Sequence, residues 1–441
     1  MQEEIASEKR LSVIVDESIN ILDEFLVVES SRISGSVNVA GAKNAVLAIM
    51  ASLILTDGKS ILTNVPASHD VFQMIIVLQK LGAKVFFDQH AHCLEIDTSS
   101  INLYTVEPSV MKKMRASILV MGPLLARLSR ADIALPGGCS LGKRPIDFHI
   151  KNFEKMGISF VVEGDFLYAK VDKFKPQRVV LEYPSVGATE NILMLACGIV
   201  GKTQIVNASL EPEVLDLIAV LKKMGAHISI QMSATIEIEG MSELKSVSHH
   251  VLFDRLEAGS LLLAAAITGG DVYLPNINSQ YLDVFLLKLQ EMGHKIVIDQ
   301  NGILLSATKY PKAVSFTTGP YPGFPTDLQP GMLVLQCLAE GVSIIHETVY
   351  ENRLMHVREL QKMGAQIEVK GDRAFITGIE ELFGTHVIAS DIRASCALVL
   401  AGLVAHGQTV ISGVHHWRRG YEFLEKKIHI LGGHITLKTA A

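Results

Sequence analysis

A helix end, a Leu/Met-Gly break and an extended run recur six times along this chain. The clearest copies are Leu78-Gln79-Lys80-Leu81-Gly82-Ala83-Lys84-Val85, Leu221-Lys222-Lys223-Met224-Gly225-Ala226-His227-Ile228 and Leu360-Gln361-Lys362-Met363-Gly364-Ala365-Gln366-Ile367. Shorter forms stand at Phe153-Glu154-Lys155-Met156-Gly157, Leu289-Gln290-Glu291-Met292-Gly293 and Ile428-His429-Ile430-Leu431-Gly432. The marker glycines 82, 157, 225, 293, 364 and 432 are 75, 68, 68, 71 and 68 residues apart. That period is longer than the roughly 20–50 residues of common solenoid repeats, so each unit holds several strands and two helices. Each unit should give a helix, a glycine C-cap and a strand or hairpin, as over 366–377.

A second marker keeps a fixed phase with the first. Six apolar, Ala/Leu-rich segments each open on polar residues: Lys43-Asn44, Arg115, Glu190-Asn191, Asp254-Arg255, Asp327 and Asp391 with Arg393. A helix hydrophobic all round is buried, so these six form the domain centres and present only their first turns to water. A helix start carries partial positive charge and unpaired N–H groups, so a cation there calls for an anion in front of it. Lys43 and Arg115 meet that condition. Asp327, in Phe324-Pro325-Thr326-Asp327, also fits an ordinary helix cap, and so does Asp391.

One cysteine differs in setting from the other four. Cys139 lies in Pro136-Gly137-Gly138-Cys139-Ser140-Leu141-Gly142-Lys143-Arg144-Pro145, where adjacent cations and loop amides favour a thiolate. Cys197, Cys337 and Cys396 lie in apolar runs as small hydrophobes, and Cys93 in an expected strand. Five cysteines with no paired or CxxC spacing predict a reducing compartment, the cytoplasm, without disulfides or zinc. The histidines, His249-His250 and His415-His416 included, show no metal-ligand spacing and read as surface or packing residues.

With 441 residues, 49% of them hydrophobic, the chain can bury two substantial cores. Its longest early apolar run, Val13-Ile14-Val15, is too short for a signal or a membrane span. A net charge of −6 disfavours a nucleic-acid partner, so anionic ligands must meet locally clustered cations.

These residues carry a resemblance. Gly41-Ala42-Lys43-Asn44-Ala45, Met114-Arg115-Ala116-Ser117, the 136–149 loop, Ser185-Val186-Gly187-Ala188-Thr189-Glu190-Asn191, Phe324-Pro325-Thr326-Asp327 and Glu351-Asn352-Arg353 look like the UDP-N-acetylglucosamine 1-carboxyvinyltransferase family of enolpyruvyl transferases. So do Asp391-Ile392-Arg393-Ala394-Ser395 and Arg419-Gly420-Tyr421-Glu422, and the match runs in order from about Phe25 to the end. The resemblance implies a two-domain, inside-out α/β barrel of six βαβαββ-type units with a central cleft. It places one domain at 43–252 and the other at 25–42 plus 253–441, with 1–24 as an extension of unknown structure.

The activity implied is transfer of an enolpyruvyl group from phosphoenolpyruvate to the 3'-hydroxyl of UDP-N-acetylglucosamine. Phosphate is released, no cofactor is used, and the step opens peptidoglycan precursor synthesis for the cell wall. By resemblance Cys139 is the acid, able also to form a covalent adduct and to react with fosfomycin, and Asp327 is the general base. Lys43, Arg144 and Arg419 match the positions that hold phosphoenolpyruvate, where guanidinium groups bind oxygens bidentately. Asp391 and Arg393 match residues supporting the charged intermediate. Nucleotide-sugar contacts carry over to Asn44, Arg115, Arg144, Pro145, Ile146, Asp147, Phe148, Ser185, Val186, Asp327 and Val349, with Arg353 beside them. His149, in the same loop, reads as a packing residue. Gly137, Gly138 and Gly142 should let that loop close over bound sugar nucleotide.

The chain departs from the family pattern at Lys143, Leu210, Phe253 and His415-His416-Trp417-Arg418. The run Leu11–Val15 has the pattern of an edge strand, and Glu17 to Leu26 has helical spacing. Three other readings stand beside the first: an enolpyruvylshikimate-phosphate synthase-like enzyme, a catalytically silent sugar-nucleotide sensor, and a nucleic-acid end-processing enzyme on a similar fold. The last lacks a basic surface. Oligomeric state is left open, with a monomer favoured.

Overall fold

In the computed structural model, residues 24–108, 114–134 and 146–439 are described. Among them the chain divides into two units, one drawn from 41–252 and the other from 24–40 and 253–439. Ala42 N–H donates to the Leu252 carbonyl at 2.8 Å within the first, and Asp254 N–H to the Ala40 carbonyl at 2.8 Å within the second.

Among the described residues each unit carries three four-stranded sheets of one design. A strand such as Gly201–Val206 pairs in parallel with a short edge strand, Arg178–Val180, and antiparallel with one arm of a hairpin, Thr235–Gly240. The other arm, His227–Gln231, closes the far edge. In the sheet built on Gln408–Ser412, the inner hairpin position is filled by the strand Glu24–Glu29, which pairs with Gln408–Ser412 on one side and His434–Thr439 on the other. The sixth repeat is thus completed by a strand that precedes the first one in sequence. Helical spacing had been expected from Glu17 to Leu26. Its last three residues are strand instead, because Leu26 and Val28 point into the core with strand periodicity; the rest lies outside the described residues.

The marker glycines all adopt positive φ, from 89° at Gly157 to 115° at Gly225. Gly225 ends the helix Pro212–Met224 in the left-handed region, and the next residues turn into His227–Gln231. Only glycine enters that region without a Cβ penalty, so the repeat visible in sequence is a repeat of helix stops.

The sheets enclose apolar helices. In Lys43–Ser52 all residues but Asn44 are buried, in Arg255–Thr268 all but the last, and in Ile392–Gly402 all but the first. Fully burying each Leu or Ile contributes about 1.5–3 kcal/mol relative to exposure, so these helices dominate both cores. They pack at close range through small residues: a Cβ on Gly331 would meet Leu263 at 2.8 Å and Leu400 at 3.0 Å, side chains of the two neighbouring helices. Cys197, Cys337 and Cys396 are buried, as their apolar settings predict, and burial raises each thiol pKa, that of Cys337 to about 12. Cys93 opens a strand.

Gly225→Ala introduces backbone strain with open space around the new methyl, and should cost about 1 kcal/mol. Gly82→Ala adds a Cβ 2.7 Å from the Ser100 carbonyl oxygen at φ 106° and should cost more. Thermal unfolding checks the order; a larger drop for Gly225→Ala would contradict this account.

Candidate active site

Asp327 sits in a one-turn 3-10 segment, Thr326–Leu328, ahead of the helix Gln329–Cys337. It caps no helix: Pro325 occupies the N-cap position, and the Asp327 carboxylate turns toward two arginines. Arg353 Nη2 donates to Asp327 Oδ1 at 2.5 Å. Arg393 reaches Oδ2 through Nη2 at 2.9 Å and Nε at 3.0 Å. Arg353 is 2% exposed and Arg393 5%, while the Asp327 side chain keeps 24% of its surface. Two buried, permanently charged groups therefore bracket one half-exposed carboxylate.

Each arginine has its own support. Arg353 Nε donates to Thr326 Oγ1 at 3.2 Å, and its Nη1 lies 3.8 Å from Asp391 Oδ1. Thr326 Oγ1 in turn donates to Glu347, whose Oε1 also accepts the Val349 and Tyr350 N–H groups at 2.9 and 3.1 Å. Burial raises the Glu347 pKa, and those N–H groups and Arg353 oppose it. Arg393 Nη1 donates to the Tyr421 hydroxyl at 3.1 Å. Burial works against its charge, but Asp327, Tyr421 and Asp254 together outweigh burial and raise its pKa well above the ordinary arginine value.

Asp391 serves as the N-cap of Ile392–Gly402, accepting the Arg393 and Ala394 N–H groups at 2.8 and 3.0 Å. The plain capping geometry is the one observed, and it leaves Asp391 near Arg353 as well. Arg419 lies on the short helix Val414–Gly420, beside His415 and His416 whose pKa values it helps to lower. His356 donates Nδ1 to the Arg353 carbonyl at 3.0 Å. Its Nε2 has no hydrogen-bond partner among the described residues.

The 41–252 unit holds a separate set. Lys43 begins the helix Lys43–Ser52, and its ammonium meets Asp70 Oδ2 at 3.0 Å, both side chains being buried. The anion demanded by a lysine at a helix start is in this structure a protein carboxylate. Asn44 beside it is exposed. Ser185 caps Val186–Cys197, its Oγ accepting the Ala188 N–H, and Val186 is exposed. Glu190 and Asn191, expected at the opening of that helix, lie one turn inside it because Ser185 supplies the cap. Burial, with Glu213 and Glu211 nearby, pushes the Glu190 pKa well up. His149 is a packing residue: its ring lies 3.2 Å from the Asn191 amide and against Gly187.

Ile146 and Phe148 are half-buried at the start of Asp147–Lys155, and the backbone of Arg115 opens the 3-10 segment Arg115–Val120. The side chains of Arg115 and Asp147 are outside the description. Cys139, Lys143, Arg144 and Pro145 lie outside the described residues. Sequence patterning missed Asp70, Glu347 and Tyr421 as members of these clusters. Asp70 has a local signal as the acidic residue in the first turn of His69–Lys80, but nothing in its spacing points to Lys43. Among the described residues no group of His, Cys, Asp and Glu could hold a metal ion, and no helix is long and apolar enough to cross a membrane.

The six four-stranded sheets and the helices they enclose, among the described residues, are an architecture shared with enolpyruvyl transferases. The model of the EPSP synthase (3-phosphoshikimate 1-carboxyvinyltransferase) family matches residues 27–428. The enolpyruvyl transferase NikO from Streptomyces tendae superposes with a TM-score of 0.87 over 95% of this chain and 99% of that one, at 21% identity, a likeness of fold. UDP-N-acetylglucosamine 1-carboxyvinyltransferase 1 of Caldanaerobacter subterraneus is 44% identical over 415 residues, 94% of this chain and 99% of the relative. The UDP-N-acetylglucosamine 1-carboxyvinyltransferase of Geotalea uraniireducens is 42% identical over 414 residues, with the same coverage. The chain belongs to the UDP-N-acetylglucosamine 1-carboxyvinyltransferase family.

Burial lowers the pKa values of His294, His356 and His416 from 6.5 to about 4. A folded pKa below the unfolded one contributes stability that is fully present above pH 6.5 and lost as pH falls toward 4, since the unfolded chain then binds the extra protons. Chemical denaturation across this window should show stability falling with up to three protons taken up on unfolding; a flat profile would contradict the burial of these rings.

Proposed function

We propose that this protein transfers the enolpyruvyl group of phosphoenolpyruvate to the 3'-hydroxyl of UDP-N-acetylglucosamine and releases phosphate, the first committed step of peptidoglycan precursor synthesis, in the cytoplasm. The observation that carries this reading is identity of 42–44% along nearly the whole length of relatives named for that transfer. The family model bears the shikimate-phosphate enzyme's name, so shikimate 3-phosphate is the acceptor that a test must set against the sugar nucleotide.

The proposed chemistry is addition followed by elimination. Cys139 gives its thiol proton to the methylene carbon of phosphoenolpyruvate, which makes the neighbouring enol carbon electrophilic. The 3'-hydroxyl oxygen bonds to that carbon as its proton passes to Asp327. A methyl proton then returns to the Cys139 thiolate, its C–H electrons re-form the double bond, and the C–O bond to phosphate breaks as phosphate leaves with that bond's electron pair. Asp327 is suited to the base role because it is the half-exposed member of its cluster, with Arg353 and Arg393 fixing its two oxygens. Those cations, with Arg419, also match the negative charge of the phosphate and carboxylate. Lys43, released from Asp70 or shared with it, supplies a further point charge. Asn44, Arg115, Arg144, Pro145, Ile146, Asp147, Phe148, Ser185, Val186 and Val349 are assigned to the sugar nucleotide.

Phosphate release should require both phosphoenolpyruvate and UDP-N-acetylglucosamine. Cys139→Ala should abolish it and Cys139→Asp, another acid, retain part of it, while Asp327→Asn should lower kcat by ~10²–10⁴-fold. Release with shikimate 3-phosphate in place of the sugar nucleotide would overturn the reading. Fosfomycin should alkylate Cys139, seen as a mass shift on its peptide; an unmodified thiol after saturating exposure would remove it as the acid.

A further inference from the structure

Arg419, assigned above to the phosphoenolpyruvate anion, stands on a helix of seven residues, Val414–Gly420. That length is far below the ~12–15 residues an isolated helix needs to persist in water, so its position is set by what pins it. It starts at Gly413 in the left-handed region and has no side-chain N-cap. Successive residues project about 100° apart around a helix, so Trp417, Arg418 and Arg419 leave in three directions. Trp417 and Arg418 each have an anchor that ties the helix to another element. Trp417, 2% exposed, donates Nε1 to Glu425 Oε2 at 2.8 Å and packs its ring 5.3 Å from Tyr421. Arg418 Nη2 donates to Glu24 Oε1 at 2.6 Å, across 394 residues of sequence.

The second anchor is unusual in its chemistry. Glu24 is 7% exposed, yet among the described residues its Oε2 has no hydrogen-bond partner, and neither does Arg418 Nε. A single hydrogen bond thus joins a buried carboxylate to a guanidinium capable of a bidentate grip. Desolvating such a pair offsets most of its attraction, so it contributes little net stability, and its effect is to fix geometry. The strand Glu24–Glu29 that carries Glu24 is the inner strand of its sheet, paired on both sides, and therefore a rigid base. The contacts continue from this helix through Tyr421 to Arg393 and Asp327.

We propose that Glu24 and Arg418 are positioning residues for phosphoenolpyruvate: their ion pair sets the height and rotation of the helix carrying Arg419, and so the grip on the anionic substrate. The inference rests on the reading of Arg419 given above. It assigns a function to an ion pair outside the reacting groups.

The test is steady-state kinetics on Glu24→Gln, Arg418→Met and the double variant, with thermal unfolding alongside. Each single change should raise the KM for phosphoenolpyruvate five- to twentyfold, with kcat changed less than twofold and the KM for UDP-N-acetylglucosamine unmoved. The double variant should be no worse than the poorer single, as for two ends of one interaction. Arg418→Lys, which keeps the charge, should fall between wild type and Arg418→Met, and serves if a neutral variant fails to fold. A lower unfolding temperature with unchanged KM, or additive effects in the double variant, would overturn the proposal. If the wild type releases no phosphate, the functional reading fails separately. The pin is then read from phenylglyoxal modification of Arg419 in the Glu24→Gln chain, followed by mass spectrometry: a rate changed at least twofold supports it, and an unchanged rate overturns it.

Discussion

A helix that is apolar on every side can carry polar groups only at its ends, and helices of this kind, Lys43–Ser52, Arg255–Thr268 and Ile392–Gly402 among them, govern this molecule. Their burial supplies the two cores, and it also decides where polar chemistry can stand. Along Arg255–Thr268 or Ile392–Gly402 a charged side chain beyond the first turn would be buried without water or partners. The first turns carry Lys43, Asp254, Asp327, Asp391 and Arg393, where orphan N–H groups, caps and the neighbouring loops can satisfy them. Close packing through residues such as Gly331 then fixes how those turns approach one another within a unit.

The cluster around Asp327 shows what this arrangement costs and what it supplies. Arg353 and Arg393 are almost wholly buried, and desolvating two guanidinium groups opposes folding. A stability argument alone would favour apolar side chains of similar size. Their presence, with Thr326, Glu347 and Tyr421 holding them in place, makes sense as preorganisation on the proposed reading, in which this charge is aimed in advance at an anionic substrate and a departing phosphate. The Lys43–Asp70 pair, in the other unit, likewise holds a buried ammonium in place against a buried carboxylate.

Much of the architecture was legible from single residues. The six marker glycines announced six helix stops, and every one has positive φ. The apolar surroundings of Cys197, Cys337 and Cys396 announced inert, buried thiols, which is how they sit. Other readings needed correction where two local signals competed. Ser185 outranked Glu190 as the start of its helix, since a serine hydroxyl accepts the third N–H and a glutamate further on does not. Asp391 both caps its helix and lies near Arg353, so capping and a place beside the Asp327 cluster were never alternatives. The end of the segment spaced like a helix before Leu26 became a strand because a sheet lacked its inner member.

The chain's own pattern determined the repeat, the buried helices, the glycine stops and the residue types available for charge, because each of these is written within about ten consecutive residues, the span over which backbone preference and periodicity act. Tertiary structure alone decided the partners. Asp70 meets Lys43 across 27 residues, Arg353 and Arg393 meet Asp327 across 26 and 66, and Glu24 meets Arg418 across 394. No local preference encodes such pairings; they exist because the helices and sheets have one way to bury their apolar faces, and the polar ends are carried together by that packing.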